Sequence, residues 1–518
     1  MRRLLLAILS GFLLAFSWPA IGFLPIIFIG FIPLLILENE ISLSSEKRKG
    51  LKIFFHSFLC FSLFNFLTTY WIYHATIFGA IMAFLINALI MSIAFWIFYF
   101  VKRTINRGLG IFVIAWISME YLNLHWELAW PWLTLGNVFS NFTSIIQWYE
   151  FTGVLGGSIW ILLVNYLLFK WWKNGRKNKK IFTPVILLLT PVLISFLVKP
   201  PNYQKGDKKI DIIIVQPNID SYNDKFSVDY KVQLDDFISL AKKGITQKTD
   251  LLIGPETALQ ETIWEKDLVY SYSINKLKEL QDSFPNLSIV VGANTFKKFE
   301  DGEKLSNTAR QIRNENIWYD AYNSAIFLQE NSTNNIYHKI KLVPGVEQIP
   351  YPEVLNILAD FSVSLGGISG SLSKNNSIYS FETKKYNLLP LICYESIFGD
   401  FISKNISSNI DLITVITNDG WWKDTPGYKQ HLLYAKLRAI EQRRYVLRAA
   451  NNGISAIISS SGEIEKQTKW MEKDILKTSV SVIKKETFYS IYGDYFGRIA
   501  SFFLLIFFLV SLVKKRIR

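Results

Sequence analysis

Repeated apolar runs constrain the fold of this 518-residue chain more than any other feature. A helix that crosses a bilayer needs about 20 predominantly apolar residues. The runs predict eight such spans, near residues 4–20, 22–38, 53–73, 77–101, 109–124, 155–171, 181–198 and 497–513. Seven consecutive apolar helices would leave a soluble protein without a polar exterior. The sequence therefore predicts a multi-pass α-helical membrane domain.

The net charge of +14 comes largely from basic clusters beside these spans. The clusters lie at Arg2-Arg3, Glu46-Lys-Arg-Lys49, Lys102-Arg103 with Arg107, Lys173 to Lys180, and Lys514-Lys-Arg-Ile-Arg518. All of them fall on one side when the spans are counted, and positively charged loops stay cytoplasmic. We therefore expect both termini in the cytoplasm, the segment from about 199 to 496 outside, and a bilayer rather than nucleic acid as the partner of these charges.

The composition changes sharply after Lys199-Pro-Pro-Asn202, which predicts three parts: residues 1–198, 199–496 and 497–518. In the middle part, short apolar runs alternate with helical patterns. Predicted strands are 210–215, 251–253, 288–291, 324–328, 388–393 and 412–416, and predicted helices are 229–243, 262–283 and 428–446. The runs are continuous rather than alternating, which indicates strands covered on both faces, as in layered α/β folds.

Three polar turns follow apolar strands of this middle part. They are Gly254-Pro-Glu256, Cys393-Tyr-Glu395 and Asn418-Asp-Gly-Trp-Trp422. In layered α/β folds, binding and catalytic residues lie mostly where strands end and loops begin. The turns are therefore the first places to search for a functional site.

Cys393 is a candidate nucleophile. The chain has two cysteines, and the other, Cys60, lies inside an apolar run, so we expect no disulfide between them. A lone thiol is also often a small buried hydrophobic residue. A nucleophilic thiol needs a base to remove its proton and a donor to stabilise the oxyanion.

Each possible partner of the thiol has two interpretations. Glu256 is a candidate base, or a carboxylate that stabilises the first turn of a helix. Lys339 lies in an alternating segment and is a candidate cation, or part of a solvated basic edge; Glu347 could orient it. His431 is a rival base, but its helical surroundings favour a structural or loop-anchoring role. The histidine spacing predicts no metal site.

Taken in order, three motifs resemble the signature blocks of the nitrilase superfamily. They are Gly254-Pro-Glu-Thr257, Tyr337-His-Lys-Ile-Lys-Leu-Val-Pro344 with Glu347, and Leu391-Ile-Cys-Tyr-Glu395. With the flanking spans, the whole chain resembles the membrane-bound branch of that superfamily, the apolipoprotein N-acyltransferases. Further matching segments are Pro131-Trp-Leu133, Leu135-Gly-Asn137, Thr152-Gly-Val-Leu-Gly156, Asn418-Asp-Gly-Trp421, Gln430-His431, Asn451-Asn-Gly453, Thr487-Phe-Tyr489 and Gly493-Asp494.

The resemblance implies an αββα sandwich outside a bacterial inner membrane and a catalytic triad of Glu256, Lys339 and Cys393. Glu347, Tyr394 and Glu395 would support the triad. The implied reaction moves an acyl chain from the sn-1 ester of a phospholipid, through a thioester on the cysteine, to the amino group of an apolipoprotein's diacylglyceryl-cysteine, without a cofactor. The alternative is a membrane-anchored amidase or nitrile hydrolase. A transporter with a degenerate outer domain would carry charges inside its spans, and these spans are nearly free of them.

Three features bear on how a substrate would enter. The family usually has Phe-Gly where this chain has Gly345-Val346, so the acyl entrance is expected to differ in shape while the spacing from Lys339 to Glu347 is kept. The apolar segment 354–365, followed by Gly366-Gly367, predicts either a mobile arm toward the membrane or a packed helix. Trp421 and Trp422 would line the acyl channel or fill the core.

Overall fold

The computed structural model describes residues 1–518 except 106, 176–180, 199–207, 314, 330–334, 352–370, 376, 407, 483–484 and 518. The apolar segment 354–365 and Gly366-Gly367 lie outside the described residues, so the arm stays a prediction. The chain divides into two compact units. One comprises residues 1–73, 77–199 and 487–518, and the other comprises residues 74–76 and 200–486.

The helices follow in chain order. They are α1 (Arg2–Phe16), α2 (Ile32–Leu43), α3 (Lys49–Thr69), α4 (Ile77–Ile105), α5 (Gly108–Leu122), α6 (Tyr149–Lys173), α7 (Phe182–Leu197), α8 (Asp224–Ser227), α9 (Tyr230–Lys242), α10 (Tyr272–Ser283), α11 (Gly399–Asn405), α12 (Pro426–Gln442), α13 (Phe488–Tyr492) and α14 (Tyr495–Ile517).

The strands belong to the second unit. They are β1 (Lys209–Gln216), β2 (Leu251–Ile253), β3 (Leu259–Trp264), β4 (Ser288–Lys298), β5 (Arg310–Gln311), β6 (Trp318–Leu328), β7 (Asn335–His338), β8 (Phe381–Glu382), β9 (Asn387–Ile392), β10 (Leu412–Thr417), β11 (Tyr445–Ala450), β12 (Ala456–Ile458), β13 (Ile464–Gln467) and β14 (Asp474–Ser481).

The first unit contains helical segments of membrane-spanning character. Among the described residues, five are long and apolar enough to cross a bilayer: Leu24–Leu43, Lys49–His74, Ile77–Ile105, Tyr149–Lys173 and Tyr495–Arg516. The apolar helices α5 and α7 are shorter. The prediction of a multi-helix apolar unit is thus confirmed, whereas the count of eight spans stays a prediction.

Buried amides link the helices of this unit. Asn87 donates to the Asn65 side-chain oxygen at 2.7 Å. Asn165 accepts from the Phe31 backbone N–H at 2.9 Å and donates to the Ile27 carbonyl at 2.8 Å. Such bonds hold apolar helices together where burial of apolar surface gives little driving force.

The second unit is built on two sheets. One has the strand order β14-β1-β2-β4-β6-β5, with β3 paired to β4 and β7 paired to β6. The other has the order β13-β12-β11-β10-β9-β8. In the second sheet β9 and β10 are parallel, with Ile392 opposite Ile416, so Cys393 and Thr417 follow at the same sheet edge.

Three apolar cores give this unit four layers. The central core fills the space between the sheets, with members such as Ile214, Phe327, Ile392 and Leu447. A second core joins the first sheet to α9 and α10, and a third joins the other sheet to α11 and α12. Burial on both faces explains the continuous apolar strands. The arrangement is the αββα sandwich that the resemblance implies.

Two helix predictions in this unit are partly wrong. Residues 262–264, the start of the helix predicted over 262–283, belong to β3 beside β4, and the helix begins only at Tyr272. The helix predicted to reach residue 446 ends at Gln442, and Tyr445 begins β11. In both places strand pairing decides the local structure, because helical propensity is a weak preference that tertiary contacts override.

Candidate active site

Glu256 lies in a turn after β2 rather than in a helix. The Gly254 N–H donates to the Val290 carbonyl at 2.8 Å, and the Gly292 N–H donates to the Pro255 carbonyl at 3.0 Å. A Cβ on Gly292 would lie 2.6 Å from Glu256 Cα, so only glycine lets β4 approach the turn this closely. This role of Gly292 was not predicted, although a glycine inside an apolar strand is a signal of close backbone approach.

The Glu256 carboxylate is buried and accepts three hydrogen bonds. Its Oε1 accepts from Asn323 Nδ2 at 2.7 Å and from Lys339 Nζ at 3.2 Å. Its Oε2 accepts from the Asn418 backbone N–H at 2.9 Å. The residue thus joins two of the polar turns identified in the sequence, and its position does not fit the helix-stabilising interpretation.

Lys339 is buried in the same place, with 1% of its surface exposed. Its backbone N–H donates to the Asn323 carbonyl at 2.8 Å, and its Nζ donates to Glu347 Oε1 at 2.8 Å. Burial by itself lowers the pKa of Lys339, but the carboxylates of Glu256 and Glu347 raise it well above its usual value. The side chain is therefore a fixed ammonium inside the protein rather than part of a solvated edge.

Glu347 is held by the loop that departs from the family pattern. Its Oε2 accepts from the Val343 N–H at 2.8 Å, and Asn323 Nδ2 donates to its Oε1 at 3.2 Å. Gly345 has φ +78°, a conformation that glycine adopts without steric cost, and donates to the Gln348 carbonyl at 2.8 Å. The Gly345-Val346 departure is accommodated in this turn, and Glu347 still reaches Lys339.

Cys393 is the first residue after β9 and opens a 3-10 turn over residues 393–397. Its φ is +50°, in the left-handed region, which costs a residue with a side chain roughly 1–3 kcal/mol. Ser396 Oγ donates to the Cys393 carbonyl at 2.7 Å. The backbone is thus held in a strained conformation at the proposed nucleophile.

The charges around the Cys393 thiol act in opposite directions. Burial raises the pKa of Cys393 most, and the Glu256 carboxylate raises it further. Lys339 and a hydrogen bond with Thr417 lower it. The resting group is consequently a neutral thiol, and its ionisation requires transfer of the proton to a base within the site.

Glu395 is fully buried and connects the strand segments that carry the lysine and the cysteine. Its Oε1 accepts from the Tyr337 hydroxyl and the Ile340 N–H, each at 2.7 Å, and its Oε2 accepts from the Ile392 N–H at 2.7 Å. Burial raises the pKa of Glu395, while these hydrogen bonds lower it. Tyr394, also buried, packs edge-on against Phe398 at 5.1 Å.

His431 contacts the 3-10 turn over residues 393–397 that begins at Cys393. Its Nε2 is 3.2 Å from the Cys393 carbonyl oxygen, and its Nδ1 is 3.0 Å from Asp419 Oδ1. Burial and the nearby Arg448 lower the pKa of His431, so the ring is neutral. Arg448 also binds Asp419. The histidine contacts the backbone of the nucleophile, which is the geometry of a loop-anchoring residue.

The two tryptophans are half-buried and face different groups. The Trp421 ring packs edge-on against the Tyr222 ring, with the ring centroids 5.4 Å apart. The Trp421 centroid also lies 5.6 Å from Lys225 Nζ. The Trp422 ring packs edge-on against His431 at 5.5 Å. Lys225 was not predicted as a site residue, because it lies in a single helical turn without a motif.

The described part of the chain contains no group of three or more His, Cys, Asp or Glu side chains arranged to hold a metal ion. The chemistry that the arrangement offers comes from a thiol, a carboxylate and an ammonium. Those are the parts needed for nucleophilic attack on an acyl group and for stabilisation of the oxyanion that results.

Both parts of the chain match known families. Residues 10–167 match the apolipoprotein N-acyltransferase N-terminal domain, and residues 214–484, more than half of the chain, match carbon-nitrogen hydrolase.

Curated relatives are similar over nearly their whole length. The apolipoprotein N-acyltransferase of Chlorobaculum tepidum is 27% identical, with 99% of this chain and 97% of the relative covered. That of Geobacter metallireducens is 28% identical, with 96% and 92% covered. Among solved structures, the nitrilase-superfamily protein Nit3 of Saccharomyces cerevisiae is 16% identical with a TM-score of 0.39, over 57% of this chain and 97% of that one. By its family match, this chain belongs to the carbon-nitrogen hydrolase family, with the N-terminal domain of apolipoprotein N-acyltransferases beside it.

Proposed function

We propose that this enzyme transfers an acyl chain from a membrane phospholipid to the N-terminal amino group of the diacylglyceryl-cysteine of apolipoproteins. The main support for the proposal is a buried cluster in which Lys339 Nζ donates a hydrogen bond to Glu256. The charges of both side chains act on the pKa of the Cys393 thiol. The match of residues 10–167 to an acyltransferase N-terminal domain supports a lipid acyl donor.

In the first half-reaction, Glu256 accepts the proton of Cys393, and the thiolate attacks the sn-1 ester carbonyl. The ammonium of Lys339, which Glu347 orients, stabilises the tetrahedral oxyanion. The lysophospholipid alkoxide leaves with the proton from Glu256, and a thioester remains on Cys393. Tyr394 and Glu395 support this step by fixing the turn that holds the sulfur.

In the second half-reaction, the amine of the acceptor attacks the thioester, and the thiolate leaves. Thioesters react with amines more readily than oxygen esters do, so the intermediate favours transfer. Water must be kept from it. We propose that Trp421 and Trp422 line the channel through which substrates reach the sulfur.

The proposed setting is a bacterial inner membrane crossed by eight helices. Residues 1–198 form seven of them, residues 199–496 form the catalytic domain outside the cytoplasm, and residues 497–518 form the last helix and a basic tail. Basic clusters beside the spans support cytoplasmic termini. No cofactor takes part in this mechanism.

A membrane-anchored amidase is the second candidate, since the catalytic domain matches a family named for carbon-nitrogen hydrolysis. The test uses the full chain in phosphatidylethanolamine vesicles with a diacylated lipopeptide. We expect a triacylated lipopeptide and an equal amount of lysophospholipid. Free fatty acid alone would favour a hydrolase and contradict the proposal. Cys393→Ala should abolish the product, while Cys60→Ala, the matched control at the other cysteine, should retain it.

A further inference from the structure

A second buried lysine lies beside the proposed base and has no part in the mechanism above. Lys225, in α8, is 7% exposed. Its Nζ donates to Thr257 Oγ1 at 2.5 Å. Thr257 directly follows Glu256 and has φ +47°, so Lys225 bonds the strained turn that carries the carboxylate.

An aromatic surface extends from the exterior of the catalytic domain to this lysine. Tyr222 is 45% exposed, and its hydroxyl donates to the Trp421 carbonyl at 2.7 Å. Trp421 comes next, with its ring 5.6 Å from Lys225 Nζ. A tryptophan face attracts organic ammonium groups. The surface therefore suits the approach of an organic ammonium group toward Lys225.

The electrostatic surroundings of Lys225 differ from those of Lys339. Burial lowers the pKa of Lys225 to about 8, while the Glu256 carboxylate acts in the opposite direction. Two carboxylates instead hold Lys339 protonated. The charges that act most on the thiol are those of Glu256, Lys339 and Asp419. Lys225 is thus poised to exchange a proton without being the main electrostatic partner of the sulfur.

This inference rests on the proposed function. The second half-reaction of that function requires a group that accepts a proton from the acceptor. An α-amino group has an ordinary pKa of about 7.7–8.0, so at neutral pH the acceptor is mostly an ammonium without a lone pair. We propose that Lys225 accepts the proton that the acceptor ammonium must lose before it attacks the acyl-enzyme, and that the Tyr222–Trp421 surface guides this ammonium to it.

The acceptor ammonium gives one proton to the neutral Lys225 amine, which becomes an ammonium. The freed amine forms a C–N bond with the thioester carbonyl carbon, and collapse of the tetrahedral intermediate breaks the C–S bond. The second proton of the attacking nitrogen passes through Glu256 to the Cys393 sulfur, and Lys225 releases its proton to solvent.

The test separates the two half-reactions in the full-length protein. The protein is incubated in phosphatidylethanolamine vesicles to form the acyl-enzyme and is then mixed with a diacylated lipopeptide. The reaction is quenched, and the intact mass of the protein is measured by mass spectrometry. At neutral pH, Lys225→Met should slow transfer of the acyl chain by a factor at least about tenfold larger than the factor by which it slows formation of the acyl-enzyme. The transfer deficit should shrink to less than about threefold near pH 9.5, where the acceptor amine is free.

Lys225→Arg is always protonated and cannot accept a proton, so it should show the same transfer defect at neutral pH. Lys231→Met, at an exposed lysine of α9, is the matched control and should behave as the original in both steps. Normal transfer by Lys225→Arg, an equal loss of both half-reactions in Lys225→Met, or a deficit independent of pH would overturn the inference. Absence of any acyl-enzyme in the unmodified protein would instead count against the proposed function.

Discussion

The Glu395 carboxylate accepts the Ile340 backbone N–H at 2.7 Å, and so joins two segments that are 55 residues apart in the chain. Ile340 follows the lysine of the site. The same carboxylate accepts from Ile392, which precedes the cysteine. One buried side chain therefore links the backbone beside the lysine to the backbone beside the cysteine.

Glu395→Gln should impair both stability and acyl-enzyme formation. The substituted amide presents an NH2 group to backbone N–H donors, and a buried donor left unsatisfied costs about 1–3 kcal/mol. We expect a lower melting temperature in detergent and an acyl adduct that appears at least about tenfold more slowly, because misplacement of a catalytic group typically lowers the rate by this much or more. Glu382→Gln, at an exposed strand residue, should change neither. Normal adduct formation in Glu395→Gln would contradict the positioning role.

Asn323→Asp tests the charge arrangement around Lys339. The Asn323 amide donates to both Glu256 and Glu347, at 2.7 and 3.2 Å. An aspartate there would replace a donor with a third carboxylate, which disfavours ionisation of the thiol. Acyl-enzyme formation should fall by at least about tenfold at neutral pH and recover partly at lower pH as the added carboxyl group becomes protonated. Asn286→Asp, at an exposed position, is the control.

Gly292→Ala should displace the Glu256 turn. The new Cβ would lie 2.4 Å from the Thr257 nitrogen, a backbone atom that cannot move independently. Overpacking of this kind costs about 1–3 kcal/mol. We expect a lower melting temperature together with loss of the acyl adduct. Gly110→Ala is the matched control, since a Cβ there meets nothing within 4 Å. Equal behaviour of the two variants would show that close approach at β4 does not position the base.

The Asp419 carboxyl should make stability depend on pH in the acid range. Burial raises its pKa, but Arg448 and His431 together lower it from 3.8 to about 2. A lowered pKa in the folded state contributes stability that is complete above the unfolded value and is lost as the pH falls toward the folded value. One pKa unit corresponds to 1.36 kcal/mol, so this contribution is on the order of 2 kcal/mol.

Chemical denaturation of the full chain between pH 6 and pH 2 checks this expectation. The stability difference between the original protein and Asp419→Asn should be constant above about pH 5 and shrink between about pH 4 and pH 2. A difference that stays constant through the acid range would show that the Asp419 pKa is not lowered by folding.

Much of the site could be predicted because its main residues follow continuous apolar strands. Cys393 comes directly after β9, Glu256 lies in the turn that follows β2, and the apolar runs locate both strand ends. The β3 strand was missed because its residues, Leu-Gln-Glu-Thr-Ile-Trp264, carry no strong alternation, and pairing with β4 determines their conformation.

The residues that surround the site were harder to predict. Asn323 lies in mid-strand and Lys225 in one helical turn, and neither position differs in local sequence from an ordinary polar residue. Their partners Glu347 and Thr257 are 24 and 32 residues away in the chain, so only the folded sheets bring each pair together.

The proposed acyl transfer is tested most directly by the intact mass of the full-length protein after incubation with phospholipid, followed by addition of a diacylated lipopeptide. We predict a mass increase of one acyl chain, located on Cys393 by peptide mapping, and its transfer to the lipopeptide amine. Formation of triacylated lipopeptide by Cys393→Ala, or an adduct on Cys393 that leaves only to water, would contradict the proposed transfer.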